Sequence, residues 1–200
     1  MTTTNDDIFI YPTDTVWGIG CSLYSEKGHA KISEIKKTSK DKPLSIMFGS
    51  VQEIYNSFHF PEEMTLVWLQ DFFKLETTLG IPVKSSKIKI PKWAYQDSDY
   101  ISIRFIDSDV VKSIYQKIQA PFFTTSLNLT GSAPITSSVE AHDFQKTYAK
   151  EAHLIESVMS ADLSGSSSTI VFFQENLDFE IIRAGIRITE VKNHLMKLFS

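Results

Sequence analysis

Apolar positions recur along this chain with two different periods. In Tyr100–Ile106, Ile101, Ile103 and Phe105 alternate with Ser102 and Arg104, which predicts a half-buried strand. In Ser25–Lys37, Ala30, Ile32 and Ile35 are separated by charges, which predicts an amphipathic helix capped near Ser25. The same reading predicts strands over Asp7–Tyr11, Leu44–Phe48, Leu75–Val83, Pro121–Leu127, His153–Ile155, Thr169–Phe173 and Phe179–Arg183, the last two paired. Helices are predicted over Val51–Phe58, Pro61–Phe73, Ser108–Gln119, Val139–Ala149 and Thr189–Phe199. Pro61 opens the second of these with Glu62 and Glu63 in its first turn. The last gathers Val191, Leu195, Leu198 and Phe199 on one face. Thr38–Pro43, Asn128–Gly131 and Asp162–Ser168 read as polar loops, and Lys84–Lys92, bounded by prolines, as a loop or an edge strand.

Strands and helices interleave without strict βαβ regularity. The expected fold is therefore α/β, a twisted mixed sheet flanked by helices. No repeat and no long linker divides the chain, so residues 1–200 are expected to form a single domain.

Composition narrows the function. With 42% hydrophobic residues the chain buries a core, and a net charge of −4 gives no global attraction to nucleic acid or membrane. Charge is uneven, since Lys31–Lys42 holds five lysines against Glu34 and Asp41, and Lys84–Lys92 holds four lysines and no acid. The lone Cys21 excludes an internal disulfide. The polar N-terminus is no signal peptide and no apolar run nears the roughly 20 residues of a membrane span, so a cytoplasmic protein is expected.

The segment Tyr11-Pro12-Thr13-Asp14-Thr15-Val16-Trp17-Gly18-Ile19-Gly20 reads as a strand end that offers hydroxyls and backbone amides, with glycines that let a backbone or ligand approach. Polar segments Thr13–Thr15, Lys36–Lys42, Thr124–Gly131 and Ser166–Thr169 each adjoin a predicted strand. Singly they are ordinary turns or a solvated lysine face. Together they suggest a nucleotide or anion site in which hydroxyls and amides hold phosphate oxygens and lysines offset their charge. Arg104, on the polar side of its strand, is either an exposed strand arginine or a fork for a carboxylate. Trp17, Trp68 and Trp93 read as core or rim aromatics, with a stacking role for Trp17 as the alternative. The five histidines lack metal-ligand spacing, and neither a nucleophile elbow nor a P-loop is present.

Six segments in this order resemble the YrdC/YciO-like family, whose best-known members are L-threonylcarbamoyladenylate synthases. They are Tyr11–Gly20, Ile35–Leu44, Ile103-Arg104, Thr124–Gly131, Ser167–Ile170 and Ile182–Gly185. The resemblance implies an open concave site on one side of the sheet and no C-terminal extension domain. It further implies that L-threonine, bicarbonate and ATP form threonylcarbamoyl-AMP and pyrophosphate, with Mg²⁺ expected to accompany ATP. The product then serves threonylcarbamoyladenosine modification of tRNA. By motif, Thr15, Arg104, Thr124 and Ser168 are expected to bind threonine, Lys36, Lys42, Ser126, Asn128 and Arg183 to bind ATP, and Lys36, Ser126 and Asn128 to serve the reacting centre. No protein metal site is implied. Contact with tRNA is expected to be indirect or weak, with a protein partner in the modification. The family's K-x-R reads Lys36-Lys37-Thr38 here, and its P-G-P-x-T reads Lys74-Leu75-Glu76-Thr77-Thr78. The family's N-terminal helix has no counterpart ahead of Pro12, which predicts a sheet face left bare or covered by a partner. The alternative is a divergent nucleotide- or double-stranded-RNA-binding protein that does not catalyse the synthase reaction.

Overall fold

A nine-stranded mixed sheet organises the computed structural model, which describes residues 6–38, 44–156 and 163–199. In chain order the elements are β1 (Ile8–Pro12), β2 (Trp17–Ser22), α1 (Glu26–Lys36), β3 (Ser45–Met47), α2 (Val51–Ser57), α3 (Leu66–Phe73), β4 (Thr77–Pro82), α4 (Lys92–Tyr95), β5 (Tyr100–Arg104), α5 (Asp109–Ile118), β6 (Phe122–Ser126), α6 (Ser138–Tyr148), β7 (His153–Leu154), β8 (Thr169–Phe173), β9 (Phe179–Arg183) and α7 (Ile188–Met196). The strand order is β7-β1-β2-β6-β3-β5-β4-β8-β9. The pairs β1/β7, β3/β5 and β4/β8 are parallel and the others antiparallel. The expected twisted mixed sheet flanked by helices is the one observed.

Hydroxyl caps explain where most helices begin. Ser25, Ser50, Thr65, Ser108 and Ser137 each accept a bond from the backbone amide three residues on. Such a cap stabilises a helix by about 1 kcal/mol. Thr65 also corrects the predicted Pro61–Phe73 helix, because the cap delays its start to Leu66 and leaves Pro61–Met64 as a turn. The Lys84–Lys92 segment is a loop that opens on one 3₁₀ turn, with only an isolated bridge between Ser86 and Phe58. The short α4 that follows was not predicted. The last helix ends at Met196, and Phe199 is exposed beyond it while Val191, Leu195 and Leu198 are buried.

The larger correction concerns Trp17–Ser22. It is a fully buried strand, hairpin partner of β1 and neighbour of β6, and not a strand end. Its glycines admit groups from within the protein. A β-carbon on Gly18 would lie 3.2 Å from the Tyr11 ring, and one on Gly20 would lie 2.1 Å from the Phe123 carbonyl oxygen. Tyr11 thus crosses the bare backbone of β2 to donate its hydroxyl to Thr124 Oγ1 on β6 at 2.6 Å. Trp17 is buried in the core, which excludes it as a stacking platform.

One face of the sheet carries the main core, including Ile10, Ile19, Ile46, Leu79, Ile103, Phe123 and Val171. On the other face, Phe9, Tyr11, Met47 and Phe122 are covered by Val110, Val111 and Ile114 of α5. Each of those three side chains contributes about 1.5–3 kcal/mol by burial. The face expected to be bare near β1 is therefore covered by α5 of the same chain. Farther along, the same face turns polar: Gly20, Thr124, Ser45, Ser102 and Gly80 occupy one register row across five strands. This polar row and the strand ends around it hold the candidate site.

Candidate functional site

The β1–β2 hairpin tip is shaped by one hydroxyl. Thr13 Oγ1 donates to the Val16 carbonyl at 2.6 Å and accepts from the amides of Thr15 and Val16 at 3.1 and 3.2 Å. It also lies 3.1 Å from Thr15 Oγ1. This closes a tight turn and directs Asp14 and Thr15 toward β5.

There they meet Arg104. The guanidinium is buried, with the residue 8% exposed, so the reading as an exposed strand arginine is overturned. Its NH2 group donates to Asp14 Oδ1 and, at 3.0 Å, to Thr15 Oγ1. Its Nε is buried with no hydrogen-bond partner among the described residues. A buried donor without an acceptor is costly, and an incoming anionic oxygen removes that cost.

A second arginine comes close. Arg183 Nε donates to the Ser168 carbonyl at 2.9 Å and its NH2 to Ser168 Oγ at 3.0 Å. Ser168 Oγ also lies 2.9 Å from Thr78 Oγ1. Desolvation first, and repulsion from Arg104 second, lower the Arg183 guanidinium from its ordinary pKa. Two guanidinium groups that repel one another favour an anion beside them.

The third cluster surrounds Lys36 at the end of α1. Its ammonium donates to the carbonyl oxygens of Ser126 and Asn128 and to Asn128 Oδ1, the last at 3.0 Å. Ser126 Oγ donates to the same Oδ1 at 2.7 Å, while Asn128 Nδ2 donates to the carbonyls of Leu129 and Ser132 at 2.9 and 2.8 Å. Lys36 is thus the strut under the Ser126–Gly131 turn, a role not evident from sequence. Ser126 pairs with Gly18 in register, so this turn adjoins the strand that leaves the hairpin tip.

Sequence reasoning expected Thr15, Arg104, Thr124 and Ser168 on the threonine, and Arg183 with Lys36, Lys42, Ser126 and Asn128 on ATP. Thr15 and Arg104 touch, Ser168 and Arg183 touch, and Arg183 senses Arg104. Thr124 is held by Tyr11 on the polar row, and Lys36, Ser126 and Asn128 form one unit. Lys42 lies outside the described residues. Reasoning from sequence missed Asp14 as the partner of Arg104, Thr78 as the partner of Ser168, and the Tyr11 crossing. An acid between two threonines in Thr13-Asp14-Thr15 was the available signal for the first.

Two grooves open elsewhere on the surface. One of about 780 Å³ is lined by Pro82, Tyr95, Tyr100 and Gln174. The other, about 1330 Å³, runs from Thr13, Asp14 and Glu76 to the start of α5, so it borders the Arg104 cluster only through Asp14. Among the described residues no group of three His, Cys, Asp or Glu is placed to hold a metal, and no helix is long and apolar enough to cross a membrane. Cys21 is buried, which pushes its thiol up to about 12, so it serves as no nucleophile.

Comparisons with known proteins agree with this fold. The Sua5–YciO–YrdC family, described as telomere recombination, matches residues 2–185. A threonylcarbamoyl-AMP synthase of Psychrobacter cryohalolentis is 26% identical over 156 residues, covering 70% of this chain and 73% of the relative. The crystal structure of P. abyssi Sua5 complexed with L-threonine superposes with a TM-score of 0.75 at 21% identity, covering 93% of this chain and 54% of that one. The chain thus spans about half the length of the P. abyssi protein. E. coli YciO superposes with a TM-score of 0.72 at 17% identity, covering 90% of this chain and 84% of that one.

Proposed function

The chain belongs to the Sua5–YciO–YrdC family, and we propose that it is a threonylcarbamoyl-AMP synthase. The reaction joins L-threonine, bicarbonate and ATP into threonylcarbamoyl-AMP, with release of pyrophosphate and water. The observation that carries this reading is the buried Arg104, whose Nε has no partner among the described residues while Thr15 and Asp14 attend its NH2 group. A guanidinium so placed suits the carboxylate of an amino acid.

In this reading the threonine carboxylate lies on Arg104, and the hydroxyls of Thr15, Thr124 and Ser168 surround the rest of the amino acid. The turn braced by Lys36 offers Ser126 and Asn128 to the nucleotide, with Lys42 and Arg183 facing its phosphates. Mg²⁺ enters as the complex with ATP. The threonine carbamate oxygen attacks the α-phosphorus and pyrophosphate departs. Such an in-line displacement needs alignment and charge neutralisation more than a protein nucleophile. The product supplies threonylcarbamoyladenosine formation on tRNA in the cytoplasm, through a further protein that contacts the tRNA.

One observation favours a second reading. Thr38 stands where the family has arginine, and the Lys36 ammonium is engaged by the Ser126–Asn128 turn. A site with fewer cations for the phosphates suits a protein that binds nucleotide or RNA without catalysing the reaction. Pyrophosphate release with Mg-ATP, bicarbonate and L-threonine separates the two. Threonine-dependent release supports the synthase, and ATP binding without such release supports the second reading. Thr38→Arg is expected to raise the rate if the missing fork limits it.

A further inference from the structure

We propose that Glu76 is a positioning residue. By gripping Ser164 from the entry of β4, it fixes the loop that presents Ser168 to the proposed threonine subsite. What the subsite binds rests on the synthase reading, whereas the grip itself does not.

The backbone of Glu76 has φ 55°, the left-handed region that a β-carbon disfavours. A residue stays in such a conformation when its surroundings fix it there. Two bonds do so here. The Glu76 carbonyl accepts from the Thr169 amide at 3.0 Å, and its Oε2 accepts from Ser164 Oγ at 2.7 Å. Arg187 NH1 donates to the Lys74 carbonyl at 2.7 Å and braces the turn from below.

Two residues farther on, Thr78 Oγ1 meets Ser168 Oγ at 2.9 Å. Glu76 and Thr78 hold Ser164 and Ser168 at two points of one loop. The hairpin tip holds the same loop, where the carbonyls of Asp14 and Thr15 accept from the amides of Ser164 and Gly165 at 3.1 and 2.9 Å. The loop thus ties the hairpin that carries Thr15 to the strand that carries Thr78. Its far end delivers Ser168 to Arg183. Glu76 lies in the segment that departs from the family's P-G-P-x-T pattern.

The test compares Glu76→Gly, Glu76→Gln and the unaltered full chain. L-threonine affinity is measured by calorimetry, stability by urea unfolding, and loop order by amide exchange at Gly165. Glycine relaxes the left-handed backbone and removes the carboxylate. Glu76→Gly is therefore expected to keep or raise the unfolding midpoint while threonine affinity falls about 5- to 10-fold and Gly165 exchange quickens. Glu76→Gln keeps an acceptor oxygen for Ser164 and is expected to stay within about twofold of the unaltered chain. Wild-type threonine affinity in Glu76→Gly, or a loss that only tracks lost stability, overturns the proposal. If the unaltered chain binds no threonine, the synthase reading falls. Gly165 exchange then decides the grip alone, with quickened exchange supporting it and unchanged protection overturning it.

Discussion

Arg104 and Asp14 are 90 residues apart in sequence and form an ion pair at the tip of the first hairpin. The pair gives the guanidinium a fixed orientation before any ligand arrives, which lowers the cost of ordering it on binding. A lysine at this position keeps the charge and loses the fork. Arg104→Lys is expected to weaken L-threonine binding by about 10- to 100-fold, the equivalent of about 1.5–3 kcal/mol for charged hydrogen bonds. Calorimetric titration with threonine checks this, and an unchanged affinity would remove Arg104 from the site.

Lys36 makes a separate prediction about stability. Its ammonium serves Ser126 O, Asn128 O and Asn128 Oδ1 together. Lys36→Met strips those acceptors of a buried donor and is expected to cost about 2–4 kcal/mol. Urea unfolding should show a lower midpoint with an unchanged slope. A loss below about 0.5 kcal/mol would mean that the turn holds without its strut.

Gly20 tests the packing of β2. A β-carbon there would lie 2.1 Å from a backbone oxygen, which no side-chain rotation relieves. Gly20→Ala is expected to cost about 3 kcal/mol. Gly131→Ala, at φ 87° with nothing within 4 Å, should cost only about 1 kcal/mol of backbone strain. Paired thermal and urea unfolding of the two variants checks the ranking.

His194 predicts a pH dependence. It is buried, stacks on Trp68 with ring centroids 4.7 Å apart, and donates from Nε2 to the Trp68 carbonyl at 3.0 Å. Desolvation dominates and lowers its pKa; the Trp68 bond and Asp71 oppose that shift, while Lys197 adds to it. The folded state therefore resists protonation more than the unfolded chain does. Stability from this group is full above the unfolded value near 6.5 and is lost as pH falls through the lowered folded value. Urea midpoints measured from pH 8 to pH 5 should fall for the wild type and fall less steeply for His194→Gln. Equal slopes would contradict the assignment.

Periodicity made most elements legible, because Ser25, Ser50, Ser108 and Ser137 cap helices whose apolar spacing was already clear. β2 went unread although Trp17, Ile19 and Cys21 alternate with Gly18, Gly20 and Ser22, because glycines read as a strand end or turn. Only the fold shows that Tyr11 and the Phe123 carbonyl fill their place. The site followed the same division. Motif order named Thr15, Lys36, Arg104, Ser126, Asn128 and Ser168 as candidates, while Asp14 and Thr78, and the bonding of Lys36 under the Ser126–Gly131 turn, depended on contacts between distant segments. Such contacts leave no local pattern in a single sequence.

The proposed activity is the formation of threonylcarbamoyl-AMP. Incubating it with Mg-ATP, L-threonine and ¹³C-bicarbonate and weighing the nucleotide products tests this most directly. A threonylcarbamoyl-AMP mass that carries the label, needs both threonine and bicarbonate, and disappears in Arg104→Ala is the predicted result. Unaltered ATP, with no labelled adenylate under conditions where the protein binds nucleotide, would contradict it.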